Sequence, residues 1–256
     1  MKYTKTKFSP CLLLAMLLAL SCYDVARATT TISSGHVDIF EAEYEQDGTN
    51  APTIHLGVHE EQEVDGVLVE NHYEPRDVIL QVKNAAYRST DGFSENITTL
   101  LGPNAWILPA DTEEAHDLGL LGAGVAKAGF PAGSVTFTMV GAGAANPGIF
   151  ALFTTGSSTV DSSIRLSATG SAVGTSGFSI AGPHTHYNWG FSAPGTYTFD
   201  MKASYDTDPD PLVVSLLQSS VETYTFNVIP EPTCGTLLLI GLVGWVATRK
   251  RVGLKE

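Results

Sequence analysis

Apolar and polar residues alternate with a period of two in short stretches of this 256-residue chain, at 36–40, 53–59, 77–82, 105–108, 134–140, 149–154, 185–191, 195–204 and 222–228. Alternation of that kind predicts half-buried strands, and the Gly- and Pro-rich links between them predict turns. One short helix is expected, opened by the acids of Asp111-Thr112-Glu113-Glu114 and closed before Gly119. The Gly/Ala-rich stretch 141–148 connects two strands rather than a strand and a helix, so it reads as a hairpin turn and not a phosphate-cradling loop. Strand count and turn spacing suggest an all-β fold, an antiparallel β-sandwich that is Ig-like in the loose sense. An N-terminal signal helix and a C-terminal transmembrane-type helix are expected to flank it.

Both ends break the alternation. Lys2, Lys5 and Lys7 precede a nearly unbroken apolar run at 11–22, which has the length of a signal h-region. Ala26-Arg27-Ala28 then offers small residues at the positions a signal peptidase reads, placing cleavage after Ala28. The competing reading, a lipoprotein acylated on Cys22, has only Ala19-Leu20-Ser21 as its box. At the other end the apolar run 233–248 is followed by Arg249-Lys250-Arg251. As a helix at ~1.5 Å per residue it reaches about 24 Å, short of a ~30 Å hydrocarbon core. The basic cluster is expected to stay cytoplasmic. One reading is an ordinary short membrane anchor. Pro230-Glu231-Pro232, the apolar run and the basic stop together resemble the PEP-CTERM sorting signal of Gram-negative bacteria. That resemblance implies an exosortase-type enzyme as partner and delivery to the cell surface. The chain thus divides into a signal at 1–28, a domain at 29–229 and a sorting or anchor tail at 230–256.

Removing the ends sharpens the charge. The formal charge of the whole chain is −13, but the domain holds six bases (Arg76, Lys83, Arg88, Lys127, Arg165, Lys202) against 24 acids, a charge near −18. Such a balance disfavours nucleic acid or an anionic membrane surface as partner and suits a solubilised surface protein or a cation binder. About 200 residues suffice for one well-cored domain, or at most two small ones. Cys11, Cys22 and Cys234 all fall outside it, so no disulfide braces it.

The same alternation says where the histidines point. In His184-Thr-His-Tyr-Asn-Trp-Gly-Phe191, Tyr187, Trp189 and Phe191 take the core side, leaving His184, His186 and Asn188 opposite. In His36-Val-Asp-Ile39, Val37 and Ile39 turn inward and His36 and Asp38 outward. In Ile54-His-Leu-Gly-Val-His59, His55 and His59 share the outer side. Imidazoles two residues apart on a strand can converge on one ion, and neutral nitrogens suit zinc or another divalent metal. Asp38 could complete the ligand shell or orient a ligand. The alternative is a solvated polar face, or histidines stacked on aromatic neighbours. His72 and His116 have no partner at ligand spacing and read as surface residues.

A second resemblance spans residues 33–228. Gly35-His-Val-Asp38, Leu101-Gly-Pro-Asn-Ala-Trp-Ile-Leu-Pro109 and the late run from His184 through Phe191-Ser-Ala-Pro-Gly195 follow in order. This pattern resembles the choice-of-anchor M surface domain, related to actinobacterial surface-anchored repeats. Those relatives tend to accompany metal-uptake transporters, which implies a metal role, with His36, His184 and His186 as the matching histidines and His55 and His59 secondary.

Catalytic signatures are missing: there is no Gly-x-Ser-x-Gly elbow, and His55-Leu-Gly-Val-His59 lacks the glutamate of a zincin helix. Asp206-Thr-Asp-Pro-Asp210 lacks the glycine and distal Glu of an EF-hand and reads as a solvated loop. Three classes remain: a surface-displayed metal binder, partnered by a metal-uptake system; a structural or adhesive module of the envelope or exopolysaccharide matrix; and a metal-dependent hydrolase.

Overall fold

The structure, a computed structural model, describes residues 29–155, 163–207 and 215–230. Strands, numbered along the chain, fall into three sheets. The first has the order β1 (Thr30–Ile32), β5 (Val78–Val82), β18 (Glu222–Val228), β16 (Gly195–Asp206), β9 (Val135–Ala142), β13 (Gly177–Ile180), with β17 (Leu216–Gln218) also paired to β16. The second runs β12 (Ala172–Val173), β11 (Ile164–Thr169), β10 (Ile149–Phe153), β15 (Asn188–Phe191), β7 (Asn104–Leu108), β6 (Tyr87–Ser89). The third runs β14 (His184–His186), β8 (Leu121–Ala128), β2 (Gly35–Glu45), β3 (Thr53–Val64), β4 (Val67–Tyr73).

The all-β class is as expected, but the pairing is mixed rather than antiparallel throughout. β1 with β5, β5 with β18 and β2 with β8 run parallel. Residues 141–148 do not make a hairpin turn, because β9 and β10 lie in different sheets. The stretch 185–191 is not one strand either. Its first part pairs with β8 in the third sheet, and past Tyr187 it joins β10 and β7 in the second.

Period-two burial builds the core. In the first sheet Tyr197, Phe199, Met201, Ala203 and Tyr205 of β16 point inward, beside Tyr224 and Phe226 of β18. They meet Phe150, Trp189 and Phe191 from the second sheet and Phe40, Leu56 and Val58 from the third. The Phe40 ring lies 4.9 Å from Trp189 and 4.8 Å from Tyr224, so one side chain ties three sheets together. Each such fully buried aromatic contributes about 1.5–3 kcal/mol of hydrophobic stabilisation.

Among the described residues there are two short α-helices. α1 (Glu95–Leu101) buries Ile97 and Leu101 against Ala105, Ile107 and Phe153 of the second sheet. α2 (Thr112–Asp117) begins where the acids predict, with the Asp111 carboxylate accepting hydrogen bonds from the Glu113 and Glu114 backbone N–H groups. Among the described residues no helix is long and apolar enough to cross a membrane. The expected signal, Ala26, Ala28, Glu231, Pro232, the tail with Arg249, Lys250 and Arg251, and the acids Asp208 and Asp210 lie outside the described residues.

Two local devices shape the third sheet. The register of β2 shifts between Asp38 and Glu41. The bulge sends both Ile39 and Phe40 into the core, each 0% exposed, and returns Asp38 and Glu41 to one and the same face. The β3–β4 hairpin turns at Asp65-Gly66, whose φ values of 54° and 80° belong to a type I′ turn. That turn sets His59 opposite His72.

Candidate metal centre

The outer face of the third sheet gathers six of the seven histidines: His184 and His186 from β14, His36 from β2, His55 and His59 from β3, His72 from β4. Ladder partners share a face, so Asp38 beside His59, Glu43 beside His55, Glu61 beside His36 and Glu70 beside Glu61 belong to it too. Between the rings of β14 and β2 lies β8, which presents Gly122 and Gly124 there. A Cβ on Gly124 would stand 2.7 Å from Cε1 of His184 and would also collide with Asp38. Glycine at 124 thus leaves the hollow across which the rings meet.

His36, His184 and His186 form a compact trio, with one nitrogen from each lying within 4.8 Å of the others. Ring centroids are 5.1 Å apart for His36 and His184, 5.4 Å for His36 and His186, and 4.4 Å for His184 and His186. In each ring Nδ1 lies against an acceptor. His186 Nδ1 is 3.2 Å from the Ala123 carbonyl oxygen. His184 Nδ1 is 2.9 Å from Asp38 Oδ1, and His36 Nδ1 is 3.2 Å from Glu61 Oε2. The two carboxylate approaches are short but off the hydrogen-bond line, since His36 Nδ1 and Asp38 Oδ1 are buried without an aligned partner. With Nδ1 engaged, Nε2 is the nitrogen each ring has free for a ligand. Nε2 of His184 and Nε2 of His186 are 2.6 Å apart.

Two neutral imidazoles cannot aim lone pairs at each other over that distance without something positive between them. A proton does it in one state: the Asp38 carboxylate set close against its Nδ1 holds the His184 imidazole above its usual pKa, while burial first and the His184 charge second push His186 below. A divalent cation in place of that proton would meet the same need. Donors on a tetrahedral zinc, at about 2.1 Å each, stand about 3.4 Å apart, so the rings would part slightly to admit it. An acceptor behind each ligating imidazole is the usual outer shell of a metal histidine, fixing tautomer and orientation.

The trio expected from the sequence is therefore brought together, with Asp38 beside it. Asp38 was expected to face outward and does share the histidine face, but it is 4% exposed, covered by the rings it serves. Asn188 departs from the expectation. After the break at Tyr187 it lies buried in the second sheet, donating to Thr155 Oγ1 and accepting from the Ala110 N–H. His55 and His59 share the face but not the trio: His55 Nε2 is 3.4 Å from Glu74, while His59 Nδ1 is 4.0 Å from Asp38 Oδ2. His72, expected to be isolated, is stacked on His59 at 4.4 Å and 5°. His116 is as exposed as expected, at 90% of its side chain. Glu41, Glu43 and Glu61 were missed. The change of phase after Ile39-Phe40, to inward Ala42 and Tyr44, was the available signal for the first two.

Two clefts flank His36. One of about 640 Å³ is bordered by Ser34, Glu61, Leu68 and His116, and one of about 330 Å³ by Thr112, Gly122 and His186. No protein-family model matches this chain, and no curated protein matches it in sequence.

Proposed function

We propose that this chain is an exported surface protein whose β-sandwich-like domain binds a divalent metal such as zinc through His36, His184 and His186, with Asp38 and Glu61 orienting two of the rings. The observation that carries the cation site is the pair of Nε2 atoms 2.6 Å apart, each ring with its Nδ1 already set against an acceptor. The clefts beside His36 give such an ion access to solvent, as exchange with a metal-uptake partner requires. Melting of the purified full chain with and without zinc tests this, beside a His184→Ala/His186→Ala variant. Zinc is expected to raise the melting temperature of the parent protein by more than that of the variant. An equal rise in both, or in neither, sinks the assignment.

Export and sorting rest on sequence. The lysine-flanked apolar run and Ala26-Arg27-Ala28 support removal of residues 1–28, and Pro230-Glu231-Pro232 with the apolar run and Arg249-Lys250-Arg251 supports a PEP-CTERM tail handled by an exosortase-type enzyme. Thr29 is the expected mature N-terminus, and an acylated Cys22 found by N-terminal sequencing would overturn it. Alanines at 230–232 should leave export intact and block surface delivery.

The 640 Å³ cleft favours one second reading, metal-dependent hydrolysis, which needs an open coordination position and a general base. Glu61, the carboxylate at that cleft, lies against His36 Nδ1 and is committed to orienting it. Binding is the better assignment on that ground. The structural or adhesive envelope module, without metal, is what a failed zinc experiment would leave.

A further inference from the structure

Next to the trio the same face holds a second group that the metal assignment above does not use. Past the bulge, β2 presents Glu41 and Glu43, and the β3–β4 hairpin presents His59 and His72. His72 Nδ1 lies 3.4 Å from Glu41 Oε2 and 3.3 Å from Glu43 Oε1. His59 Nδ1 is 3.7 Å from Glu41 Oε1. Glu41 is 5% exposed, and its Oε2 has no aligned hydrogen-bond donor. A buried carboxylate ordinarily takes an Arg or Lys partner or gives up its charge. Among the five strands of this sheet the sole such base is Lys127, and its ammonium donates to the Gly133 carbonyl. Burial first, and the Glu43 and Asp38 charges after it, push the Glu41 carboxyl up, with His59 and His72 pulling the other way. The face therefore concentrates carboxylates and imidazoles at a place that no Lys or Arg of these strands serves.

We propose that Glu41, Glu43 and His72 form a second divalent-cation site, separate from the histidine trio and linked to it through Asp38. The spacing carries it: one ligand atom from each of the three lies within 4.8 Å of the others. The 3.3 and 3.4 Å separations match the roughly 3.4 Å edge between donors about 2.1 Å from a tetrahedral ion. One nitrogen and two carboxylates make a harder donor set than three imidazoles, so this site accepts manganese as well as zinc, whereas the trio favours zinc. His59 does not ligate in this arrangement; stacked on His72 and facing Glu41, it is a positioning residue. Asp38 ties the two sites together, with Oδ1 2.9 Å from His184 and Oδ2 4.0 Å from His59. This second site does not require the first to be occupied.

The test is equilibrium dialysis of the purified full chain against zinc, then against manganese, with bound metal counted per chain. About two zinc ions are expected for the parent protein. Glu43→Gln/His72→Gln, whose side chains are 29% and 54% exposed and lie off the core, should keep one. His184→Ala/His186→Ala should also keep one, and that ion alone should be replaceable by manganese. Affinity for the second ion should fall in Glu43→Gln/His72→Gln by no less than the roughly 10–100-fold that loss of an outer-shell partner costs. Asp38→Asn should weaken both ions. A parent protein that binds one ion, lost in the His184/His186 variant and unchanged in the Glu43/His72 variant, overturns the second site and leaves the trio. One ion lost only in the Glu43/His72 variant does the reverse. Unchanged metal-free melting of Glu43→Gln/His72→Gln is the folding control.

Discussion

On its inner face the sheet β14-β8-β2-β3-β4 sets Val37, Ile39, Phe40, Ala42, Leu56 and Val58 against the core, none more than 1% exposed. On its outer face the same strands hold six histidines among five or more carboxylates, and buried polar atoms there (His36 Nδ1, Asp38 Oδ1, Glu41 Oε2, His59 Nε2) lack an aligned hydrogen-bond partner. Leaving such an atom unsatisfied costs about 1–3 kcal/mol. The inner face is close-packed and complete by itself. The outer face carries unsatisfied polar atoms, so it takes from stability what the inner face supplies. A sheet divided in this way is what a binding protein needs, and it makes the two faces separable by experiment.

The largest effect expected is on the inner face. Phe40→Ala removes a ring that packs on Trp189, Tyr224 and Phe137 and should cost about 3–5 kcal/mol in denaturant unfolding. Next comes the outer face with its ion. Zinc at a hundredfold its dissociation constant should add about 2.7 kcal/mol to the parent protein. Ligating imidazoles must be neutral and His184 is held above its usual pKa, so this gain should begin to fade on acidification before the ordinary histidine value of about 6.5 is reached, as melting at several pH values would reveal. Gly124→Ala comes third. Its Cβ crowds His184 and Asp38, and overpacking of that kind costs about 1–3 kcal/mol. It should also shrink the zinc-induced rise to what the second site gives, whereas Phe40→Ala should leave the rise whole. If Phe40→Ala shrinks the rise and Gly124→Ala keeps it whole, the division of labour between the faces is wrong.

The smallest expected effect reverses sign with metal. Burial raises the folded-state pKa of Glu41, so its contribution to stability is present below the ordinary carboxylate range and lost as pH climbs through the raised value. At neutral pH, without metal, Glu41→Gln should therefore stabilise the fold by on the order of 1 kcal/mol, and the gain should vanish in acid. With zinc or manganese bound the same substitution should be destabilising. Thermal melting in the presence and absence of a chelator distinguishes the two.

Much of this was legible along the chain, and what was not has a physical reason. His36-Val-Asp-Ile39 and the stretch from His184 to Phe191 place their apolar residues inward as alternation requires. Alternation reports faces but not neighbours, so the meeting of β2 with β14 needed β8 between them. That strand, Leu-Gly-Ala-Gly-Val-Ala-Lys-Ala, is too rich in small residues to show a period. Its glycines are what the rings require, so the site erased its own signal. The bulge hid Glu41 and Glu43 by switching the phase of β2. His72 was recoverable: Asp65-Gly66 is a strong two-residue hairpin signal, and counting outward from it sets His72 opposite His59. The break at Tyr187 was not recoverable, because a continuous strand and one that changes sheets share the same alternation.

The placement of β18 has a mechanical consequence. It is the last described strand, pairing antiparallel with β16 over seven residues and parallel with β5 over four, and the Ile229 N–H still reaches the Val82 carbonyl. A pull on the chain beyond Pro230 enters along the axis of an interior strand. It loads both ladders in shear, where many hydrogen bonds must yield together, rather than peeling an edge one bond at a time. The histidine face lies on another sheet, away from that load path. Tension applied through the C-terminal segment would reach these two ladders before the histidine sheet.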